Sequence, residues 1–472
     1  MKILFVEPPK HFWFIMGEYL PPPLGILELA GYLESKMPDA EIEVLDCQAS
    51  SLDWDGLEKH IERSCPDIVA SSSLATCNAF TTIRTVATAK AVNLRILTVV
   101  GGQHFTTTAS ESLQEYPEID VIIRGEGERT LVDIAKAVKN SKPLSDINGI
   151  SFRANGEIFH TPDQELLPNL DELPMPAYHF VEDHIRKYHF TMMAGSKAIY
   201  TILEGSRGCP HKCRFCSQWR HWRGTWRTKS PRRIADEMEF CHAKYGAEFI
   251  WMTDDCFPLG PMAERLCEEL ARRGMSEEIM WFVQARSDDI VRHRKLLARM
   301  RSAGNLWILT GAESGSEATL ARLGKNITPD QTREAVRLMK KNDIFAQATF
   351  IIGHRKETHR TLADLRGFVN EIDPDLAIFM LLTPFPRTEV YEEAKKNGWI
   401  EDWNWANYDM VHPIMPTETL SREELQEELL KCYSDFYGSW ARRLQGFFSS
   451  NKLKRRTYRY LAGQALIRQL KP

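Results

Sequence analysis

"GCPHKCRFCSQW", residues 208–219, sets Cys209, Cys213 and Cys216 at spacings of four and three, in a chain whose other seven cysteines show no framework spacing. A structural zinc site asks for four ligands, and beyond His211, inside the loop itself, no fourth Cys or His lies at a usable short offset. A disulfide would leave one cysteine over. Three thiolates suit a four-iron, four-sulfur cluster with one iron left open, because that iron can then chelate a small molecule. The scattered cysteines, Cys47, Cys65, Cys77, Cys241, Cys256, Cys267 and Cys432, read as free thiols in a reducing compartment, so a cytoplasmic location is expected.

Working outward, the cysteine loop directly follows "AIYTILEGS" (198–206), the first of six β-rich runs separated by helical patterns. The others are "FIWMTDD" (249–255), "MWFVQAR" (280–286), "LWILTGAES" (306–314), "AQATFIIG" (346–353) and "LAIFMLLTP" (376–384). Six strand–helix units predict a full or partial β/α barrel, with chemistry at the carboxyl ends of the strands. Ahead of it, "KILFVEP" (2–8), "EIEVLDC" (41–47), "DIVASSSL" (67–74), "RILTVVGG" (95–102) and "DVIIRGEGE" (120–128) alternate with helical stretches. That order predicts an α/β, Rossmann-like doubly wound sheet, whose ligands bind beyond the strand ends. Its loops are unusual: the aromatic "KHFWFIMGEYLPPPLG" (10–25), Ser71-Ser72-Ser73, Gly101-Gly102-Gln103-His104 and Gly125-Glu126-Gly127-Glu128.

Between the two, "INGISFRANGEIFH" (147–160) reads as a hairpin turning at Asn155-Gly156, and proline-rich "LPNLDELPMPAY" (167–178) as a linker. At the far end Ser421 and Glu424 form a capping box opening a helix through "EELLKCYSDFYGSWARRL" (427–444). The expected division is 1–145, 146–194 for hairpin and linker, 195–395, and a helical 396–472. Composition is that of a globular enzyme: 472 residues, 43% hydrophobic, 26% charged, net charge −4. Nothing global calls for nucleic acid. "MKILFVEPPK" makes a poor signal peptide and a good first strand, and no run approaches the roughly 20 apolar residues of a spanning helix.

Cys209-x3-Cys213-x2-Cys216, with Phe215 before the third cysteine, resembles the radical S-adenosylmethionine signature. "TDDCF", "GAESGS", "FIIG" and "TPFPRT" stand at later strand ends in the order of that superfamily. "PPPLGILELAGYL", "PDIVASSS", "VVGGQHFTT" and "VIIRGEGERTL" resemble the cobalamin-binding domain fused ahead of it in the cobalamin-dependent members. The matches run to about residue 400.

The resemblance implies three cofactors: a 4Fe-4S cluster on Cys209, Cys213 and Cys216, S-adenosylmethionine on the open iron, and cobalamin. It implies a C-methyltransferase acting on an unactivated carbon, supplied with electrons by a low-potential donor such as ferredoxin or flavodoxin. Protein-modifying relatives point to a protein or peptide substrate, specifically a glutamine of methyl-coenzyme M reductase. Two other readings stay open: a radical cyclase or ring-rearranging enzyme of tetrapyrrole or hopanoid biosynthesis, and a non-catalytic cobalamin sensor.

The same resemblance implies site residues. Asp254 and Asp255 match the acidic position that meets the amino group of S-adenosylmethionine, an anion facing an ammonium. Gln284 and Arg286 end the third strand, Glu313 and Ser314 the fourth. Gly353 is expected to let the backbone approach the adenine. Each also has a structural reading: an acid capping the next helix, Arg286 pairing with Asp288 or Asp289, a glycine simply ending a strand. For cobalamin, Ser71, Ser72 and Ser73 offer hydroxyls without bulk, Gly101 and Gly102 admit the nucleotide tail, and Gly125, Glu126 and Gly127 supply a tight turn. The Asp-x-His-x-x-Gly motif of cobalamin mutases is absent, so no histidine is expected below the cobalt; residues 74–76 face it, and His104 meets the tail or ribose. Of Trp219, Trp222 and Trp226, two are expected in an amphipathic stripe on the barrel, the sharper reading being a cofactor-covering wall. "NKLKRRTYR" (451–459) reads as a solvated basic surface, or one that holds an acidic donor or substrate. Arg387 stands where relatives carry glycine, and is expected to hold an anionic or carbonyl-rich substrate.

Overall fold

The computed structural model describes residues 1–9, 19–194 and 198–470. The aromatic run at 10–18, singled out above, lies outside the described residues. In chain order the strands are β1 (Lys2–Glu7), β2 (Tyr19–Leu20), β3 (Glu41–Asp46), β4 (Ile68–Ser72), β5 (Leu97–Gly101), β6 (Val121–Ile123), β7 (Ile150–Ala154), β8 (Glu157–His160), β9 (His189–Phe190), β10 (Tyr200–Leu203), β11 (Ser206–Gly208), β12 (Trp226–Thr228), β13 (Phe249–Met252), β14 (Met280–Gln284), β15 (Asn305–Glu313), β16 (Phe345–Ile352) and β17 (Leu376–Leu381).

The first sheet runs β3-β1-β4-β5-β6-β7-β8, its first five strands parallel. This is the flavodoxin-like order, which places its ligand crevice outside the carboxyl ends of β1 and β4, where the winding reverses. Helices Leu24–Lys36 and Glu128–Lys139 bury their apolar stripes on one face; Trp54–Ser64 and Ala79–Val92 cover the other. Asn155 (φ 52°) and Gly156 (φ 81°) both take the left-handed conformation a type I′ turn requires, and close the predicted hairpin. That hairpin pairs antiparallel with β6, so the sheet continues to His160, past the boundary expected at 145.

All six predicted barrel strands form, as one parallel sheet in sequential order β10-β13-β14-β15-β16-β17. It stays open between β10 and β17: a partial barrel. An open barrel leaves two edges of unpaired backbone, and tyrosine hydroxyls cover both. Tyr178 Oη donates to the Ile202 carbonyl at 2.6 Å and accepts from the Ile202 amide at 3.0 Å. On β17, Tyr433 serves Phe379 and Tyr437 serves Ala377 in the same way, at 2.8–3.1 Å. The match follows from geometry, since four residues of helix rise about 6 Å and two of strand about 6.6 Å.

The helix carrying both tyrosines, Arg422–Tyr437, opens with the predicted Ser421–Glu424 capping box. It stops before Gly438 rather than running to 444, and Trp440–Leu444 is a separate short helix. Within 451–459 the basic residues are turned partly inward: Lys454 pairs with buried Asp375 at 2.6 Å and Arg455 donates to the Ser449 carbonyl. Among the described residues no helix is long and apolar enough to cross a membrane.

Candidate active site

The cysteine loop is spanned by the hairpin β11–β12 at the end of β10. Gly208 (φ 91°) must be glycine, since a side chain there would drive into the Thr225 carbonyl. Cys213 is buried, Cys209 and Cys216 are half-buried, and none is in a disulfide. Three unlinked sulfurs on one loop fit the donor set of an iron–sulfur cluster with an open position. Burial pushes the Cys216 thiol up to about 12 and raises Cys213. Cys209 is brought down to about 6, first by the Cys256 thiol beside it, with Arg286 and Lys325 also acting. Cys256 is therefore a fourth thiol at the site, in the middle of "TDDCF", which spacing along the chain conceals. His211, Cys256 and Asp289 offer ligand atoms within 4.8 Å of one another.

The three tryptophans do not form the stripe expected for two of them, because only Gln218–His221 is helical and Trp226 begins β12. Each indole N–H instead donates into the site: Trp219 to the Cys213 carbonyl (3.1 Å), Trp222 to Asp255 Oδ2 (2.9 Å), and Trp226 to the Cys256 carbonyl (3.2 Å). All three indoles thus lie against the cysteine loop and the end of β13, with Trp219 and Trp222 half-buried and Trp226 exposed.

At the later strand ends the two aspartates separate in role. Asp254 is fully buried and spent on the end of the first strand, accepting from the Gly205 amide at 3.2 Å and from the Ser206 hydroxyl. Among the described residues Asp255 accepts the Trp222 indole N–H, and it stands close enough to Cys209 and Cys216 to interact with both thiols. Burial pushes each carboxyl up to about 7; for Asp255, Glu204 and Cys209 add to the rise. Gln284 reaches the Asp254 carbonyl at 3.4 Å. Arg286 pairs with Asp288 at 2.9 Å, the structural reading, and also donates to the Lys325 carbonyl at 2.8 Å. Glu313 binds Lys325 at 2.6 Å, and Ser314 Oγ accepts from the Ser316 amide. Gly353 (φ 88°) donates to the Glu357 carboxylate, and its Cβ direction is filled by Leu381 and Leu425. Its positive φ by itself favours glycine at this strand end.

At the strand ends of the first sheet, Ser71 Oγ donates to the Val6 carbonyl and Ser73 Oγ to the Ala75 carbonyl, while half-buried Ser72 has no side-chain hydrogen bond among the described residues. Gly102 (φ 89°) packs flat on the Ser73 backbone, where any side chain would collide. Gly101 lies beside Ile123, and the Gly125 amide is held by Thr106 Oγ1 at 3.0 Å. Two features fit a flat, largely apolar ligand with polar edges. Leu74, directly beyond β4, is 70% exposed, and His104 is buried with Nδ1 unpartnered. Burial holds His104 down to about 4, hence neutral.

The two units meet over this crevice. Gln103 donates to Ser217 Oγ, one residue past Cys216; Arg387 (φ 64°, exposed) donates to the Thr107 carbonyl at 3.1 Å; His104 packs edge-on to Trp405. Behind it lies a buried ionic knot absent from the sequence reading. Arg207, its side chain 3% exposed, binds Glu28 (2.9 Å), Glu126 (2.6 Å), Glu128 (2.7 Å) and Glu204 (2.6 Å). Arg227 joins Glu126 at 3.1 Å and Lys229 joins Glu237 at 2.9 Å. Glu126, expected at the cofactor, thus has its carboxylate engaged between the two units; Gly127 leaves room for Leu29.

Comparison with known proteins agrees with this geometry. A profile described as the radical SAM superfamily matches residues 203–369, and one described as a B12 binding domain matches residues 16–135. An uncharacterized methyltransferase of Pyrococcus horikoshii, PH0819, is 32% identical over 441 residues, 93% of this chain and 92% of the relative. The anaerobic magnesium-protoporphyrin IX monomethyl ester cyclase of Rubrivivax gelatinosus is 31% identical, covering 98% of this chain and 81% of the enzyme. Among solved structures, the radical S-adenosylmethionine methyltransferase TsrM from Kitasatospora setae, with cobalamin and a [4Fe-4S] cluster bound, superposes with a TM-score of 0.74 at 16% identity over 99% of both chains.

Proposed function

Since the chain belongs to the cobalamin-binding radical S-adenosylmethionine family, we propose that it is a C-methyltransferase that methylates an unactivated carbon, on a protein residue such as a glutamine of methyl-coenzyme M reductase. The observation that carries the methyl-transfer reading is the facing of two strand-end surfaces. The loop after β5, beside the crevice at the ends of β1 and β4, abuts the cysteine loop, with Gln103 bonded to the residue after Cys216. A methyl donor and a radical source must reach the same carbon, and two facing strand-end surfaces support that reading.

Cys209, Cys213 and Cys216 would hold the cluster, and Ser72, Leu74, Gly101, Gly102 and His104 line the face for cobalamin. When bound, the cluster supplies the electron that cleaves S-adenosylmethionine, and cobalamin supplies the methyl group. The chain's own residues orient and enclose. Asp255 presents an anion to the ammonium group, half-buried Trp219 and Trp222 shield the site from water, and Arg387 stands at the rim for an anionic or carbonyl-rich substrate. A ferredoxin or flavodoxin is the proposed electron donor.

The cyclase of similar identity favours a second reading, ring formation without methyl transfer. Anaerobic turnover in cell extract with methyl-labelled S-adenosylmethionine separates them. Label in a product supports methylation; 5′-deoxyadenosine formed with no labelled product supports the cyclase reading.

A further inference from the structure

Lys325, in "ARLGKNIT" (321–328), is a lysine only 8% exposed beside the cysteine loop. Its approach is built. The Arg214 amide donates to the Leu323 carbonyl at 3.0 Å, and Gly324 (φ 63°) lies against the backbone of Lys212 and Arg214. The segment 323–325 is thereby docked on the loop between Cys209 and Cys216. Arg286, 6% exposed, donates to the Lys325 carbonyl at 2.8 Å, so a second buried cation sits beside the first.

Among the described residues Lys325 forms its ion pair with Glu313 Oε1, at 2.6 Å. Glu313 is held in an unusual way for this contact. It takes a left-handed φ of 59° at the point where the β15–β16 register shifts, and the ion pair lies over Gly311, where any side chain would press on both partners. A non-glycine residue in that region is strained and persists where surroundings over-determine it. Burial alone would lower Lys325, but Glu313 and Cys213 together hold it charged. In return Lys325 and Arg286 oppose the burial that raises Cys213.

We infer that Lys325 is a positioning residue that sets the reduction potential of the cluster held by Cys209, Cys213 and Cys216, with Glu313 as its counterweight. The physical reason is charge. One-electron reduction adds a negative charge in a site shielded from water, and a buried cation favours the reduced state while a buried carboxylate opposes it. The two residues must therefore act with opposite sign. This inference rests on the cluster reading and adds to it which groups outside the ligand set govern its reduction.

The test is an EPR-monitored redox titration of the anaerobically reconstituted full chain, without S-adenosylmethionine, for wild type, Lys325→Met, Lys325→Arg and Glu313→Gln. Iron and sulfide content are measured on each. At the wild-type midpoint, Lys325→Met is expected to show at least a tenfold lower reduced-to-oxidised ratio, which for one electron is about 59 mV downward. Lys325→Arg should stay near wild type, and Glu313→Gln should move upward. Equal midpoints in fully loaded Lys325→Met and wild type overturn the inference. If Lys325→Met fails to load, a downward or null shift in Glu313→Gln overturns it instead. Failure of the wild type to take up a cluster would defeat the underlying reading and is seen separately in the iron analysis.

Discussion

Replacing Arg207 by Met tests whether the two units are held as one by the buried ionic knot. Four carboxylates lie within 2.9 Å of this guanidinium, whose side chain is 3% exposed. Removing one partner of a buried pair typically costs about 3–5 kcal/mol, because the other charge is left buried and uncompensated. Two features moderate the loss: Arg227 still binds Glu126, and Glu28, pushed up to about 8 by burial and by Glu204, takes up a proton readily. The sign follows from that shift. An acid whose folded pKa lies above its unfolded value binds more protons in the folded state, so its cost to stability appears as pH rises through the folded value. The loss in Arg207→Met is thus expected near 3–5 kcal/mol at pH 8.5 and smaller at pH 6.5. Denaturant unfolding of the cofactor-free chain at both pH values, read on the first transition, measures it. A loss below about 1 kcal/mol at pH 8.5, or a larger loss at pH 6.5, would refute the reasoning.

Three further outcomes are expected. Asp255→Asn should weaken S-adenosylmethionine binding to the reconstituted protein about ten- to a hundredfold, the range of a charge-assisted hydrogen bond. Because burial holds Asp255 up to about 7, wild-type affinity should fall as pH drops from 8 to 6; calorimetry showing a flat profile counts against the assignment. Tyr433→Phe strips the Phe379 amide and carbonyl of their partner, and should cost about 1–3 kcal/mol with faster hydrogen exchange at Phe379. Exchange unchanged from wild type would show that water replaces the hydroxyl. Arg387→Gly relieves a left-handed φ while losing the Thr107 contact, so thermal stability should move by no more than about 1 kcal/mol. Substrate affinity should nonetheless fall, and unchanged affinity would remove Arg387 from substrate binding.

Much of the fold is legible because periodicity is local. Each barrel strand is a near-continuous apolar run, as a strand covered on both faces must be, and all six form where expected. The cysteine motif is equally local. What stays hidden is long-range. Cys256 meets Cys209 only because adjacent parallel strands bring their ends together, and Lys325 arrives through a turn after the fourth barrel strand. Arg207 reads as one more basic residue until four glutamates from three segments converge on it. The misreadings have one cause as well. Trp219, Trp222 and Trp226 carry helical spacing across a stretch that is mostly a closing hairpin, so spacing alone assigns them a face they do not have. At Asp254 and Gly353 the motif positions do not disclose the intrachain bonds to the Gly205 amide and the Glu357 carboxylate, which only the folded chain brings together.

The most direct test of the central claim is anaerobic incubation of the reconstituted, cobalamin-loaded protein with a low-potential reductant and methyl-labelled S-adenosylmethionine, reading label on protein-bound cobalamin by mass spectrometry. The account predicts that the wild-type protein transfers label to its cobalamin before any substrate is added. Cobalamin that remains unlabelled while 5′-deoxyadenosine accumulates would contradict methyl transfer and point to the cyclase reading.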